Sequence, residues 1–246
     1  MTLSRRAFLM TGSAGVTAGL IGLRPGGAVA QGAGIATLKI STIGSGREGG
    51  ALGTLFAKKG HPVMFSSRHP EELKELVANA GPTAHAGTVE QAVAFGEVVL
   101  LVVPYTAVEQ IGKDYGKALA QKPLVLDVSN PIARRDGEDI VKWVEQQGGA
   151  GLATQKLLPG AHLVRAFNAI GSGRLAANAG RSDKMGVPIA GDDPAAIKLA
   201  SALIEQIGFE PVLVGGLAMG KYLVPGTPLG GEHTPAEIKQ IAAGLK

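Results

Sequence analysis

Three glycines spaced as Gly44-x-Gly46-x-x-Gly49 offer a chemistry that needs no side chain. Gly44 permits a tight turn, Gly46 lets a backbone approach phosphates, and Gly49 lets a helix pack closely on a strand. A dinucleotide pyrophosphate requires all three, resting on free N–H groups at the positive end of the helix dipole. Glycine is abundant here, 37 of 246 residues, so the motif alone also fits a ligand-free turn. Its setting favours the dinucleotide: a strand from Leu38 to Ile43 before it, a helical pattern closed by Gly60 after it, and a second strand from Pro62 to Ser67.

The end of that second strand indicates which dinucleotide. An NAD site usually carries an acidic residue there to bond the ribose hydroxyls, whereas this chain has Ser66-Ser67-Arg68-His69. Serine hydroxyls and a guanidinium fork bind a 2′-phosphate that a carboxylate would repel, so NADP(H) is expected over NAD. The alternative is that Arg68 is only a solvated residue at a strand end.

The elements that must position these groups alternate strand and helix with short connections from residue 37 to residue 131. That rhythm predicts an α/β fold, a doubly wound, mostly parallel sheet of about eight strands. The run Glu97–Pro104 is continuously apolar, as a strand covered on both faces requires. Further strands are expected at Pro123–Val128, Ala161–Phe167, Val187–Asp193 and Phe209–Val214, with Asp193 capping the helix from Pro194 to Ile207. Arg134-Arg135-Asp136 reads as an exposed lead-in to a surface helix over Glu138–Gln147. The Gly/Pro-rich end of the chain, 226–246, is expected as a short appendage over the sheet, following an NADP-binding domain over 31–225.

Residues 1–30 read as a secretory signal. Arg5-Arg6 precede an uncharged stretch to Leu23, and Ala28-Val29-Ala30 supplies a cleavage site, in the twin-arginine form. A membrane anchor is the alternative. That export machinery is an expected partner, the periplasm or another exported location the expected compartment, and no stable anchor is expected after cleavage. The route carries folded proteins, so a cofactor scarce outside the cytoplasm can be loaded beforehand. The signal contains three arginines and no acid, and its removal takes the net charge from +4 to about +1. Nucleic acid is therefore not an expected partner. With no cysteine and five histidines, no metal site is expected either.

The ordered set Ile43–Gly46, Ser66–Arg68, Val102–Pro104, Asp127–Pro131, Leu158–Ala161, Arg165–Asn168 and Val187–Asp193 resembles the NADPH-dependent coenzyme F-420 reductases, over roughly residues 37 to 225. The resemblance implies an NADP lying across the strand ends and passing hydride directly to a deazaflavin, with no protein acid or base on the path. By position it implies that Ser45, Gly46, Arg47, Glu48, Ser67, Arg68, Val103, Pro104, Ala166 and Asn168 line the cofactor. Arg47 and Glu48 depart from the asparagine and apolar residue common at those places, and the chain from Gly226 does not resemble the family's tail.

Two further residues enter by location alone. Tyr105 follows the fourth strand and Asn130 ends the fifth, where a nicotinamide half should lie. His61, His85 and His162 read as structural. The function expected is NADP(H)-dependent hydride transfer to a planar acceptor, a deazaflavin or flavin, with ferric iron as an onward acceptor. Two alternatives stand beside it: a non-catalytic NADP-binding protein, and a dehydrogenase of a small alcohol or imine with Tyr105 or a histidine as proton donor. A homodimer is compatible with any of these.

Overall fold

A computed structural model describes residues 37–245; the expected signal over 1–30 lies outside them. The chain runs β1 (Ile40–Ile43), α1 (Arg47–Lys58), β2 (Val63–Ser66), α2 (Lys74–Ala80), β3 (Ala84–Gly87), α3 (Val89–Phe95), β4 (Val98–Leu101) and α4 (Val108–Leu119). It continues through β5 (Leu124–Asp127), α5 (Ala133–Asp136), α6 (Glu138–Gln146), α7 (Ala150–Leu157), β6 (Leu163–Arg165) and α8 (Ser172–Asn178). The last elements are β7 (Gly186–Gly191), α9 (Pro194–Gln206), β8 (Glu210–Gly215) and α10 (Pro235–Ala243).

The strands form one eight-stranded sheet in the order β3-β2-β1-β4-β5-β6-β7-β8. Every pairing is parallel except β6 with β7. β1 and β4 are neighbours although two strands separate them in sequence, so the connections leave the sheet in opposite directions there. This reversal opens a crevice at the carboxyl ends of the central strands. β1 and β4 are buried along their whole lengths because helices cover both faces, which explains the apolar run in β4.

Two apolar layers flank the sheet. Leu52, Phe56, Phe65, Leu203 and Phe209 belong to one, and Val99, Leu101, Ile111 and Leu163 to the other. The expected appendage packs into a third cluster, where its Leu229 and Ile238, with Leu223 just before it, meet Ala190 and Val212 of β7 and β8. Thr88 and Thr234 close capping boxes at α3 and α10, and the Asp193 carboxylate accepts from the Ala195 and Ala196 N–H groups at α9. Among the described residues no helix is long and apolar enough to cross a membrane.

Three expectations need correction. β4 and β6 are shorter than the apolar runs that predicted them, because Val102–Pro104 after β4 and Phe167 after β6 line the crevice instead of continuing the strands. The stretch Arg134–Asp136 is a helical turn leading into α6, with Arg134 and Arg135 exposed as expected but Asp136 not. The Asp136 side chain is buried, accepting the Ile132 N–H at 2.8 Å and pairing with Arg135. α8 was not anticipated. It buries only Leu175 and lacks an apolar stripe, and its first N–H is satisfied from far along the chain by Glu48.

Candidate cofactor cleft

The phosphate end is made of backbone. Gly44 adopts φ +93°, and a Cβ there would stand 2.3 Å from the Val102 carbonyl oxygen. A Cβ on Gly49 would stand 2.0 Å from the Gly44 carbonyl oxygen, so turn and helix touch through bare backbone. Gly46 differs: nothing lies within 4 Å of where its Cβ would be, and its surface faces open space. Gly46 is also the N-cap of α1, and no side chain accepts from the first-turn N–H groups. An uncapped twelve-residue helix behind a glycine turn presents donors and positive potential to an anion, so these residues fit a pyrophosphate.

From this point a cleft of about 400 Å³ runs along the carboxyl ends of β1, β4, β5 and β6. Of the residues expected at the site, Gly46, Arg47, Glu48, Gly49, Val103, Pro104, Asn130 and Asn168 line it. Ile132 and Pro225 add apolar wall, and Pro225 is the contribution of the segment leading into the appendage. Gly44 acts from beneath as the turn, and the Ser45 hydroxyl is engaged with that of Thr42 at 2.6 Å.

The far end of the cleft is built from side chains around a buried ion pair that the sequence reading missed. Arg165 and Asp127 are both wholly inaccessible, with Nη1 donating to Asp127 Oδ2 at 2.5 Å. Arg165 Nη2 also donates to the Ser129 carbonyl at 2.9 Å and to Asn130 Oδ1 at 3.2 Å. Asp127 Oδ1 accepts from the Ser129 N–H and hydroxyl. Asn130 in turn donates to the Asn168 carbonyl, and Arg135 holds the Asn130 carbonyl at 2.5 Å. A signal was available: a charged residue ends each of two neighbouring apolar strands, and burial of one charge demands the other.

Asn168 has the most informative side chain. Its Nδ2 donates to the carbonyls of Asp127 and Ser129, acceptors only, so its amide orientation is fixed. Its Oδ1 is thereby left buried and without a donor among the described residues, a condition that native side chains rarely keep without a ligand or water. Phe167 directs the chain into this position. It has φ +61°, the only positive φ outside glycine among the described residues, and its ring is anchored edge-on to Phe209.

Three expected residues, Tyr105, Ser66 and Ala166, sit otherwise than supposed. Tyr105 points away from the cleft, its hydroxyl donating to the Ala150 carbonyl and meeting Thr154 Oγ1 in the core. Burial, helped by the Asp127 charge, raises its pKa well above that of a free phenol, so it holds its proton. Ser66 is fully buried, its hydroxyl donating to the Thr42 carbonyl, and is no phosphate ligand. Ala166 is wholly buried in the core and its side chain does not reach the cleft. Ser67 and Arg68 stand beyond the cleft at the end of β2. Ser67 accepts the His69 N–H at 3.0 Å, and Arg68 is exposed and unpaired among the described residues. No histidine lines the cleft: His61 is buried between the Leu38 carbonyl and Gln206, and His162 pairs with Asp193.

Comparison with known proteins places this geometry. Residues 39–131 match the family described as NADP oxidoreductase, coenzyme F420-dependent. The family match covers β1 through the end of β5, hence the glycine turn, β2 with Ser67-Arg68, and Asn130. A curated glycerol-3-phosphate dehydrogenase [NAD(P)+] from Enterococcus faecalis is 28% identical over 121 residues, 44% of this chain and 36% of its own length. The chain thus spans about a third of that relative. Among solved structures, a hypothetical protein from Sinorhizobium meliloti superposes with TM-score 0.64 at 25% identity, covering 80% of this chain and 95% of its own. A proposed F420-dependent NADP reductase from Arthrobacter sp. FB24 gives 0.60 at 19% identity, over 75% and 87% of the two chains. An imine reductase from Myxococcus stipitatus in complex with NADP+ gives 0.52 at 18%, over 73% and 56%. The last two show the shared fold.

Proposed function

We propose that this protein is an NADP(H)-dependent oxidoreductase that moves hydride directly between the nicotinamide and a planar acceptor. The acceptor class is a deazaflavin or a flavin, with ferric iron as an onward acceptor. One observation carries the reading: an uncapped α1 behind a glycine turn opens, at the β1/β4 reversal, into a cleft that continues over three further strand ends. When bound, the cofactor supplies the hydride. The chain's own residues hold and shield it. First-turn N–H groups of α1 take the pyrophosphate, and Ser67 with Arg68 takes the 2′-phosphate. Val103, Pro104 and Ile132 keep water from the ring, and Asn168 Oδ1 accepts a carboxamide N–H.

A planar acceptor is favoured over an alcohol or imine because those substrates need a proton donor beside the nicotinamide. Tyr105 is buried with its hydroxyl engaged, and no histidine lines the cleft. Steady-state NADPH oxidation with a panel of deazaflavin, FMN, FAD, ferric citrate and a cyclic imine tests the assignment. Turnover with a ring acceptor is expected. Tight NADPH binding without turnover on any of them would make the protein a cofactor-binding module instead. We further infer that residues 1–30 are a twin-arginine signal. Amino-terminal sequencing of the exported form is expected to begin at Gln31, and retention of Arg5-Arg6 on a membrane-bound form would replace it with an anchor.

A further inference from the structure

Glu48 is an odd residue to find in the first turn of a helix that takes a pyrophosphate. Its Oε1 accepts the Ser172 N–H at 2.8 Å and so caps α8, while its Oε2 is buried with no donor among the described residues. The side chain nonetheless lines the cleft, next to the donors at the end of α1. An ionised carboxylate with one oxygen unsolvated is held at this position by the Ser172 hydrogen bond, the positive end of α1 and the Arg47 charge. A bound pyrophosphate occupies that same positive end and adds like charge beside it.

We propose that Glu48 is the proton-linked residue of the cofactor cleft, a carboxylate before the cofactor binds and a carboxylic acid once the pyrophosphate is seated, so that binding draws one proton from solvent. The inference rests on the NADP reading above. The surrounding charges permit the exchange. Arg47 is on the same helix and exposed, Arg135 in the cleft wall is held by Asp136 and Asn130, and Arg174 on α8 is paired with Glu232. The neighbouring β4 end and the loop 168–171 carry no charge. Among the described residues no other cation is aimed at Glu48 to hold it ionised. Burial already pushes its carboxyl above the ordinary range, against the Ser172 hydrogen bond and the Arg47 charge. The acid form keeps the cap on α8, since the carbonyl oxygen still accepts from Ser172.

Titration calorimetry with NADP+ in buffers of different ionisation enthalpy, on wild-type protein and Glu48→Gln, decides the matter. The cofactor's own 2′-phosphate titrates equally in both, so the difference between them reports Glu48. Wild type is expected to take up about one proton more than Glu48→Gln between the two pKa values of Glu48, and its affinity to fall up to about tenfold per pH unit relative to the variant. Equal proton uptake by the two proteins overturns the proposal. Absence of binding by both overturns the NADP reading itself, and the inference with it. Should the glutamine variant fail to fold, infrared difference spectra of wild type serve. A carboxylic-acid stretching band appearing with NADP+ supports the proposal, and its absence overturns it.

Discussion

The two ends of the cleft are built on opposite plans. At the phosphate end, Gly44, Gly46 and Gly49 contribute by what they lack, and the ligand-facing groups are amides of the main chain. At the far end, Asp127, Asn130, Arg165 and Asn168 contribute polar side chains drawn from two strands and their loops, each fixed by another. The first plan binds any pyrophosphate and depends on close approach. The second is a buried charge network whose members cannot be removed singly, so its tolerance to substitution is the lower of the two.

The difference can be broken first at its strongest point. Arg165→Met leaves the Asp127 carboxylate buried and unpaired, and is expected to cost about 3–5 kcal/mol in urea unfolding. Adding Asp127→Asn should restore much of that loss, and a double variant as unstable as the single would refute the network account. Gly49→Ala drives a Cβ into the Gly44 carbonyl, and is expected to cost on the order of 3 kcal/mol while also abolishing NADPH binding measured by fluorescence. Ser67→Asp with Arg68→Ala removes the charge-assisted contacts to a 2′-phosphate. NADPH affinity should then fall by roughly 1.5–3 kcal/mol while NADH affinity rises, and stability should not change. Smallest is Tyr105→Phe, expected to lose about 1 kcal/mol of stability for one hydroxyl's bonds and to leave kcat unaltered. A large loss of turnover in this variant would restore tyrosine as a proton donor.

The phosphate end was legible in the sequence because its geometry is local. Three glycines within six residues, a strand before and a helix after carry nearly all of it. Asp193 was legible for the same reason, since a cap bonds a backbone two or three residues away. The far end was not, because Asp127 and Arg165 lie 38 residues apart and meet only through strand pairing. Asn130 and Asn168 were singled out without the ion pair that orients them. Tyr105 was misplaced because its location after β4 is compatible with either side of the sheet. Only the 3-10 turn Tyr105–Ala107 turns its ring toward α7 rather than the crevice. Glu48 capping α8 joins residues 124 apart, and no local signal announces it.

Arg165 also sets a rule of inheritance. Its methylene chain passes so close to Gly220 that a Cβ there would stand 2.7 Å from Arg165 Cδ, on a side chain held by several hydrogen bonds and unable to swing away. Gly220 therefore has no freedom to vary while the arginine is present. The arginine in turn cannot leave while Asp127 is charged. Any lineage that drifts from this arrangement must change positions 127 and 165 together, and only then place a side chain at position 220. Either charge removed alone leaves the other buried and unpaired, so three positions far apart in the chain share a single history.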